Sequence, residues 1–275
     1  MADINAKDVM KLRNKTGLAM MACKKALIET GGDFDAAEDL LRKQLKGKMD
    51  TRTERAAGEG KIAIATSDGS AAIVELLAET DFTARNEKFT GVAQAIAEEA
   101  LNLPAGDVDP TDSMKAKVDD LRISTGENIS LGRAVHVPAD GGTFGSYIHH
   151  DGKTGVLIQV QGNADPDTLR KVCMHITAAM PRPLGVTTDD IPSEMVEKEK
   201  KFRLEQAMES GKPQEIAEKI VDGGMRKFYS EVALLEQDYV LEPGTPIKDV
   251  LKDATVVRFF RWEVGEAAQP AEAAS

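Results

Sequence analysis

The feature that most constrains this sequence is a pair of apolar runs, KIAIA from Lys61 and AAIVELLA from Ala71, on either side of Ser67-Asp68-Gly69-Ser70. Short runs of this kind around a glycine-containing turn predict a β-hairpin. The second run ends at Glu79-Thr80-Asp81, after which Phe89, Val92, Ala93, Ile96 and Ala100 recur at helical spacing, so the hairpin hands over to an amphipathic helix spanning about 83–101. At Gly145 the pattern restarts. GSYIHH and GVLIQV flank Asp151-Gly152-Lys153-Thr154, and a helix over about 167–180 carries Leu169, Val172, Cys173, Ile176 and Ala179. Placing Asp68-Gly69 on Asp151-Gly152, an offset of 83, also brings Val74 onto Leu157 and Ala95 onto Ala178. A hairpin-plus-helix unit occurring twice predicts an α+β fold with two related subdomains, each an antiparallel sheet covered by helices on one face.

Before the first hairpin the texture is helical. Asn5 and Asp8 resemble a capping box ahead of Val9 and Leu12, and Thr16-Gly17 supplies a stop. A second helix from Leu18 to about Glu29 ends at Gly31-Gly32, and Asp33 or Asp35 caps a third with Ala37, Leu40, Leu41 and Leu45 facing inward. Residues 1–45 thus form a small three-helix domain. Residues 46–61 lack a sustained apolar period and are read as a linker.

The first subdomain spans 62–139, with a further helix over 111–124 and a strand in NISLGRAVHVP from Asn128. The second spans 140–266. Within it a charged helix from Ser193, a break at Gly211-Lys212-Pro213 and a second helix with Ile216, Ile220, Val221, Met225 and Phe228 form a helical hairpin at about 190–230. Strands predicted at 232–241 and 256–264 make that hairpin an insertion. Residues 267–275 offer nothing to bury and are expected to be disordered.

Composition narrows the function. A net charge of −11 over 275 residues argues against a nucleic-acid ligand, which needs a basic footprint. The two cysteines, Cys23 and Cys173, sit far apart in helical patterns and make neither a disulfide framework nor a metal knuckle, which reads as cytosolic. No signal-peptide core and no long apolar span is present, so neither export nor membrane insertion is expected.

Three local patterns invite chemistry. Gly152-Lys153-Thr154 matches the end of a phosphate loop, but the upstream glycine is replaced by Tyr147 and the residues fall in a hairpin turn. His149, His150 and Asp151 invite a metal reading; neighbouring strand residues point to opposite faces, which favours a half-buried histidine beside a solvent-facing one and leaves a protein-contact role for His149 open. Met20-Met21 with Lys24-Lys25 reads, on spacing, as a core methionine stripe with solvated lysines. No nucleophile elbow, HExxH or Cys-His signature occurs, and neither a catalyst nor a cofactor is expected. Phe82 has two readings. Its spacing with Phe89, Ala93, Ile96 and Ala100 on a continuous helix sends it to the core, whereas capping by Thr80 or Asp81 puts it in a first turn, beyond the packed layer.

Taken together, Leu12-Arg13, Thr16-Gly17, Met20-Met21 and Cys23-Lys24-Lys25-Ala26-Leu27 resemble the N-terminal signature of the elongation factor Ts family, and Thr80-Asp81-Phe82, Ala84-Arg85-Asn86 and Phe89 resemble its second signature. The similarity runs from about residue 5 to 266 and includes Gly126-Glu127-Asn128-Ile129 and the strand leading to His149. The resemblance implies a guanine-nucleotide exchange factor for elongation factor Tu. In the family a ubiquitin-associated-type helical domain, here with Met20, Met21 and Lys24, contacts the nucleotide-binding domain of Tu. An Asp-Phe pair, matching Asp81 and Phe82 beside Thr80 and Thr83, disturbs its magnesium site. Gly126 and His149 fall among the other contacts implied, and a homodimer or a heterotetramer with Tu is compatible with the family.

There are departures. Thr125 stands where Ile is frequent, Ala22 stands where Asp is common, and the chain stops soon after Glu266, short of a C-terminal module that some members use to grip Tu. A non-exchange binding module for nascent chains or ribosomes is the competing reading, and a metal enzyme at His149 is a third.

Overall fold

The computed structural model describes residues 4–50, 55–209 and 214–266. In chain order the first elements are α1 (Ala6–Thr16), α2 (Met20–Glu29), α3 (Phe34–Asp50), β1 (Glu59–Thr66), β2 (Ser70–Ala78), α4 (Asp81–Ala84), α5 (Glu87–Ala100), β3 (Gly106–Asp107), α6 (Asp112–Thr125) and β4 (Ile129–Pro138). There follow β5 (Thr143–Ile148), β6 (Thr154–Gln161), α7 (Pro166–Ala178), α8 (Ser193–Glu209), α9 (Gln214–Val232), α10 (Ile247–Leu251) and β7 (Thr255–Glu263). Among the described residues no helix is long and apolar enough to cross a membrane.

Local chemistry sets the helix ends. The Asn5 side chain accepts the Asp8 N–H at 2.8 Å to start α1, and Gly17 ends it at φ 74°, a left-handed conformation that costs glycine nothing. α1, α2 and α3 bury Leu12, Cys23, Leu27, Ala37 and Leu41 in a core of their own. That core is small. Both Asp120 carboxylate oxygens accept hydrogen bonds from Arg42 Nη2, at 3.0 and 3.1 Å, which ties α3 to α6. Leu45, read as facing inward, lies outside the residues whose side chains are described. The stretch read as a linker is more regular than expected: α3 continues to Asp50 and β1 begins at Glu59. Propagation costs little once a helix has started, so α3 runs on through Lys46, Lys48 and Met49 despite Gly47. Gly60 sits in β1 because a side chain there would run into the Leu76 carbonyl.

The first sheet has the order β1-β2-β4-β3, with β3 antiparallel to β4 through Gly106 opposite His136. β2 is buried along nearly its whole length, and Val74 and Leu76 share a core with Phe89, Ile96, Met114 and Leu121. The second sheet has the order β5-β6-β7, with β5 and β6 antiparallel and Gly145 opposite Ile158. β6 is buried in the same way, and its core adds Leu169, Val172, Ile176, Leu234, Ile247 and Leu251. In both sheets the second hairpin strand is central, a helix follows, and a later strand joins its far edge. The fold is α+β.

Two compact units result, one holding residues up to Ala65, Ala72–Val137 and the chain from Glu263, the other Thr66–Ala71 and Pro138–Trp262. The N-terminal helices fall in the same unit as the first sheet. α8 and α9 lie between α7 and β7 as a helical hairpin; the Gly211-Lys212-Pro213 break and the tail at 267–275 lie outside the described residues. The strand expected at 232–241 does not form. A 3-10 turn, Leu234–Glu236, takes its place, with isolated bridges pairing Ala233 with Gly185 and Asp238 with Pro246. The Leu234 and Leu235 N–H groups donate to the Gly185 and Val186 carbonyls at 2.9 and 3.0 Å, so this segment is satisfied away from the sheet, whose β6 edge β7 occupies.

Candidate functional site

The region after β2 settles the two readings of Phe82. The helix expected over 83–101 is two helices: α4 stops at Ala84, and α5 starts anew with the Asn86 side chain accepting the Lys88 N–H at 2.8 Å. The break removes Phe82 from the register of Phe89, Ala93 and Ile96. Phe82 is 84% exposed, whereas Phe89 is fully buried. Asn86 followed by Glu87 was the legible signal for this restart, an N-cap with an acid in the first turn.

Thr80 caps α4. Its Oγ1 accepts the Thr83 N–H at 3.3 Å while the hydroxyl proton is donated to Glu127 Oε1 at 2.7 Å, and the Thr80 N–H goes to Glu127 Oε2 at 3.2 Å. Asp81 pairs with Arg85 at 3.0 Å, and Thr83 and Ala84 are buried against the core. The four residues divide by role. Thr80, Thr83 and Ala84 anchor the turn, and Asp81 and Phe82 form its outer edge. Glu127 is a participant that sequence reading overlooked, because nothing local connects it to a residue 47 positions earlier. It is aimed by Gly126, which ends α6 at φ 77° with its N–H bonded to the Arg122 carbonyl.

The methionine stripe of α2 is not core. Cys23, Ala26 and Leu27 fill the interior face, Met20 is 45% and Met21 74% exposed, and Lys24 is exposed beside them. The helix has room for only one inward stripe, and Cys23, Ala26 and Leu27 occupy it. Cys23 and Cys173 are buried and unpaired, and burial pushes the Cys173 thiol up to about 12.

His149 and His150 lie just past the end of β5, where strand alternation no longer applies, and their rings meet edge to face at 4.3 Å rather than pointing apart. His149 is half-buried with Tyr147 Oη 3.2 Å from its Nδ1, and His150 is exposed. Among the described residues no group of three His, Cys, Asp or Glu side chains could hold a metal ion. Gly152 to Thr154 form a hairpin turn, closed by the Gly152 N–H on the His149 carbonyl at 2.7 Å and by the Lys153 N–H on Asp151 Oδ1 at 2.8 Å, and not a helix N-terminus.

Fold and site define an α+β protein that carries an exposed aromatic on a short braced helix. The family model for elongation factor TS matches residues 79–266. Elongation factor Ts of Maricaulis maris is 40% identical over 98% of this chain and 94% of its own length, and that of Hydrogenovibrio crunogenus is 43% identical over 96% and 92%. Elongation factor Ts of Alkalilimnicola ehrlichii is 41% identical over 98% and 94%. The chain belongs to the elongation factor Ts family.

Proposed function

We propose that this protein is a guanine-nucleotide exchange factor that binds elongation factor Tu in the cytoplasm and speeds GDP release, with Thr80, Asp81, Phe82 and Thr83 as the element that disturbs the magnesium and phosphate site of Tu. The observation that carries this reading is the 84% exposure of Phe82 on a turn that is otherwise capped and buried. A large apolar side chain held out in water, on a backbone that cannot fold it away, is stabilised only when a partner covers it.

No bond-making chemistry is required. An exchange factor need only bind nucleotide-free or distorted Tu more tightly than Tu-GDP, and the coupling is reciprocal. Burying one Phe side chain yields about 1.5–3 kcal/mol, which at about 1.4 kcal/mol per decade is roughly one to two decades of coupling. Displacing magnesium removes a large counter-charge from the phosphates, so a small movement is amplified electrostatically. Met20, Met21 and Lys24 on α2, with Gly126 and His149, supply the wider contact area. No nucleic acid, membrane or cofactor takes part.

The test is release of a fluorescent GDP from Tu. Wild-type protein accelerates it, and Phe82→Ala slows it by roughly tenfold or more. Absence of any acceleration by the wild type would favour a binding module without exchange activity.

A further inference from the structure

Thr80 does not hold α4 alone. A threonine hydroxyl has one proton and two lone pairs, and it caps a helix only when a lone pair faces the N–H it receives. Here the proton is committed to Glu127 Oε1 at 2.7 Å, which turns a lone pair toward the Thr83 N–H at 3.3 Å. The second carboxylate oxygen takes the Thr80 N–H at 3.2 Å, so Glu127 grips both donors of one residue.

Glu127 is itself placed by two neighbours. Gly126 turns the chain at φ 77°. Thr125 Oγ1 donates to the Leu121 carbonyl at 2.8 Å and accepts the Glu127 N–H at 3.2 Å. The next residue is fixed as well, with the Asn128 N–H on Glu79 Oε1 at 2.6 Å and Asn128 Nδ2 donating to the Arg55 carbonyl at 2.7 Å. The loop after α6 is therefore hydrogen-bonded to two successive residues, Glu79 and Thr80, which precede Asp81 and the exposed Phe82.

We infer that Glu127 is a positioning residue for exchange: its carboxylate, aimed by Gly126 and Thr125, holds Thr80 in the capping conformation and so presents Phe82 ready-ordered to the partner. The inference rests on the exchange reading of residues 80–83. Its physical content is preorganisation. A turn already fixed in the free protein has no ordering entropy left to lose on binding.

The experiment has two arms. In the free protein, hydrogen exchange at the Thr83 amide is at least about fivefold faster in Glu127→Ala than in wild type, with Glu127→Gln, which keeps one acceptor, in between. In fluorescent-GDP release from Tu, Glu127→Ala raises the concentration giving half-maximal rate by about fivefold and leaves the maximal rate near wild type, because saturation supplies the lost ordering. In a Phe82→Ala background the same substitution changes release by less than about twofold, since the positioned group is gone. Unchanged Thr83 exchange, or an equal loss in both backgrounds, would overturn the inference; the Gln variant decides if the Ala variant folds poorly. Failure of the exchange reading looks different, with Phe82→Ala as active as wild type while the Thr83 amide still responds to Glu127.

Discussion

Glu75 and Arg133 form an ion pair in the first unit, with Arg133 Nε donating to Glu75 Oε2 at 2.9 Å. The Glu75 side chain is 1% exposed, and its other oxygen accepts the Gly265 N–H at 2.9 Å while Arg133 Nη2 donates to the Glu263 carbonyl at 3.2 Å. The pair fastens the chain beyond β7 to strands β2 and β4. Gly132 makes room for it, because a Cβ there would stand 2.8 Å from Glu75 Oε2. Glu75→Ala leaves the Gly265 N–H without its acceptor and the partly exposed Arg133 without this carboxylate, so it is expected to lose about 1–3 kcal/mol in urea unfolding. Replacing both residues by apolar ones is expected to cost less than removing Glu75 alone.

Phe82→Ala and Met21→Ala should leave stability within about 0.5 kcal/mol of wild type, since both side chains stand mostly in solvent. Thermal unfolding checks this. A fall of several degrees in Phe82→Ala would mean that the ring packs in solution, and would return Phe82 to the role of a core staple.

His175 makes the stability of the second unit depend on pH near neutrality. It is 1% exposed, its Nδ1 accepts the Val240 N–H at 3.3 Å, and its Nε2–H therefore donates to Gln237 Oε1 at 3.1 Å. Gln237 passes the network on to the Pro181 and Glu231 carbonyls at 3.0 and 2.7 Å. Burial lowers the imidazole pKa from 6.5, against opposing contributions from the Gln237 hydrogen bond and Asp238. With the folded value below the unfolded one, the unfolded chain binds the extra proton. The contribution is full above the unfolded value and is lost as pH falls through it toward the folded value. Urea midpoints should drop between pH 7.5 and 5.5, with a slope from this group of at most about 1.4 kcal/mol per pH unit. His175→Asn should be less stable at neutral pH and show a flatter profile.

Gly145→Ala tests the contact of α7 with its sheet. A Cβ at 145 would come within 2.5 Å of the Leu169 Cβ and 3.1 Å of Ile158. Overpacking of this kind costs about 1–3 kcal/mol, read as a lower denaturation midpoint. A neutral result would mean that α7 can shift on β5.

Much of the fold was legible because its signals are local. Asn5, Gly17, Thr111 and Gly126 mark helix ends through their own side chains or backbone freedom, and the two glycine turns mark hairpins whose strands alternate or run apolar. The segment after α9 misled because β-branched and aromatic residues there fill a core as turns. Burial of Leu234 and Tyr239 needs no ladder when Gly185 and Val186 supply the acceptors. For His149 and His150 the expected half-buried and exposed pair is found, but the opposite-faces argument fails, since β5 ends at Ile148 and the rings meet.

The sequence by itself determined most of the elements, their order, the family and the apolar residues of the two sheet cores, because propensity, capping and hydrophobic period act over a few residues. Only the tertiary structure decided that Phe82 faces water. The break at Arg85-Asn86 had a local signal in Asn86-Glu87, but the bond from Thr80 to Glu127, 47 residues away, had none, because long-range hydrogen bonds leave no trace in local spacing.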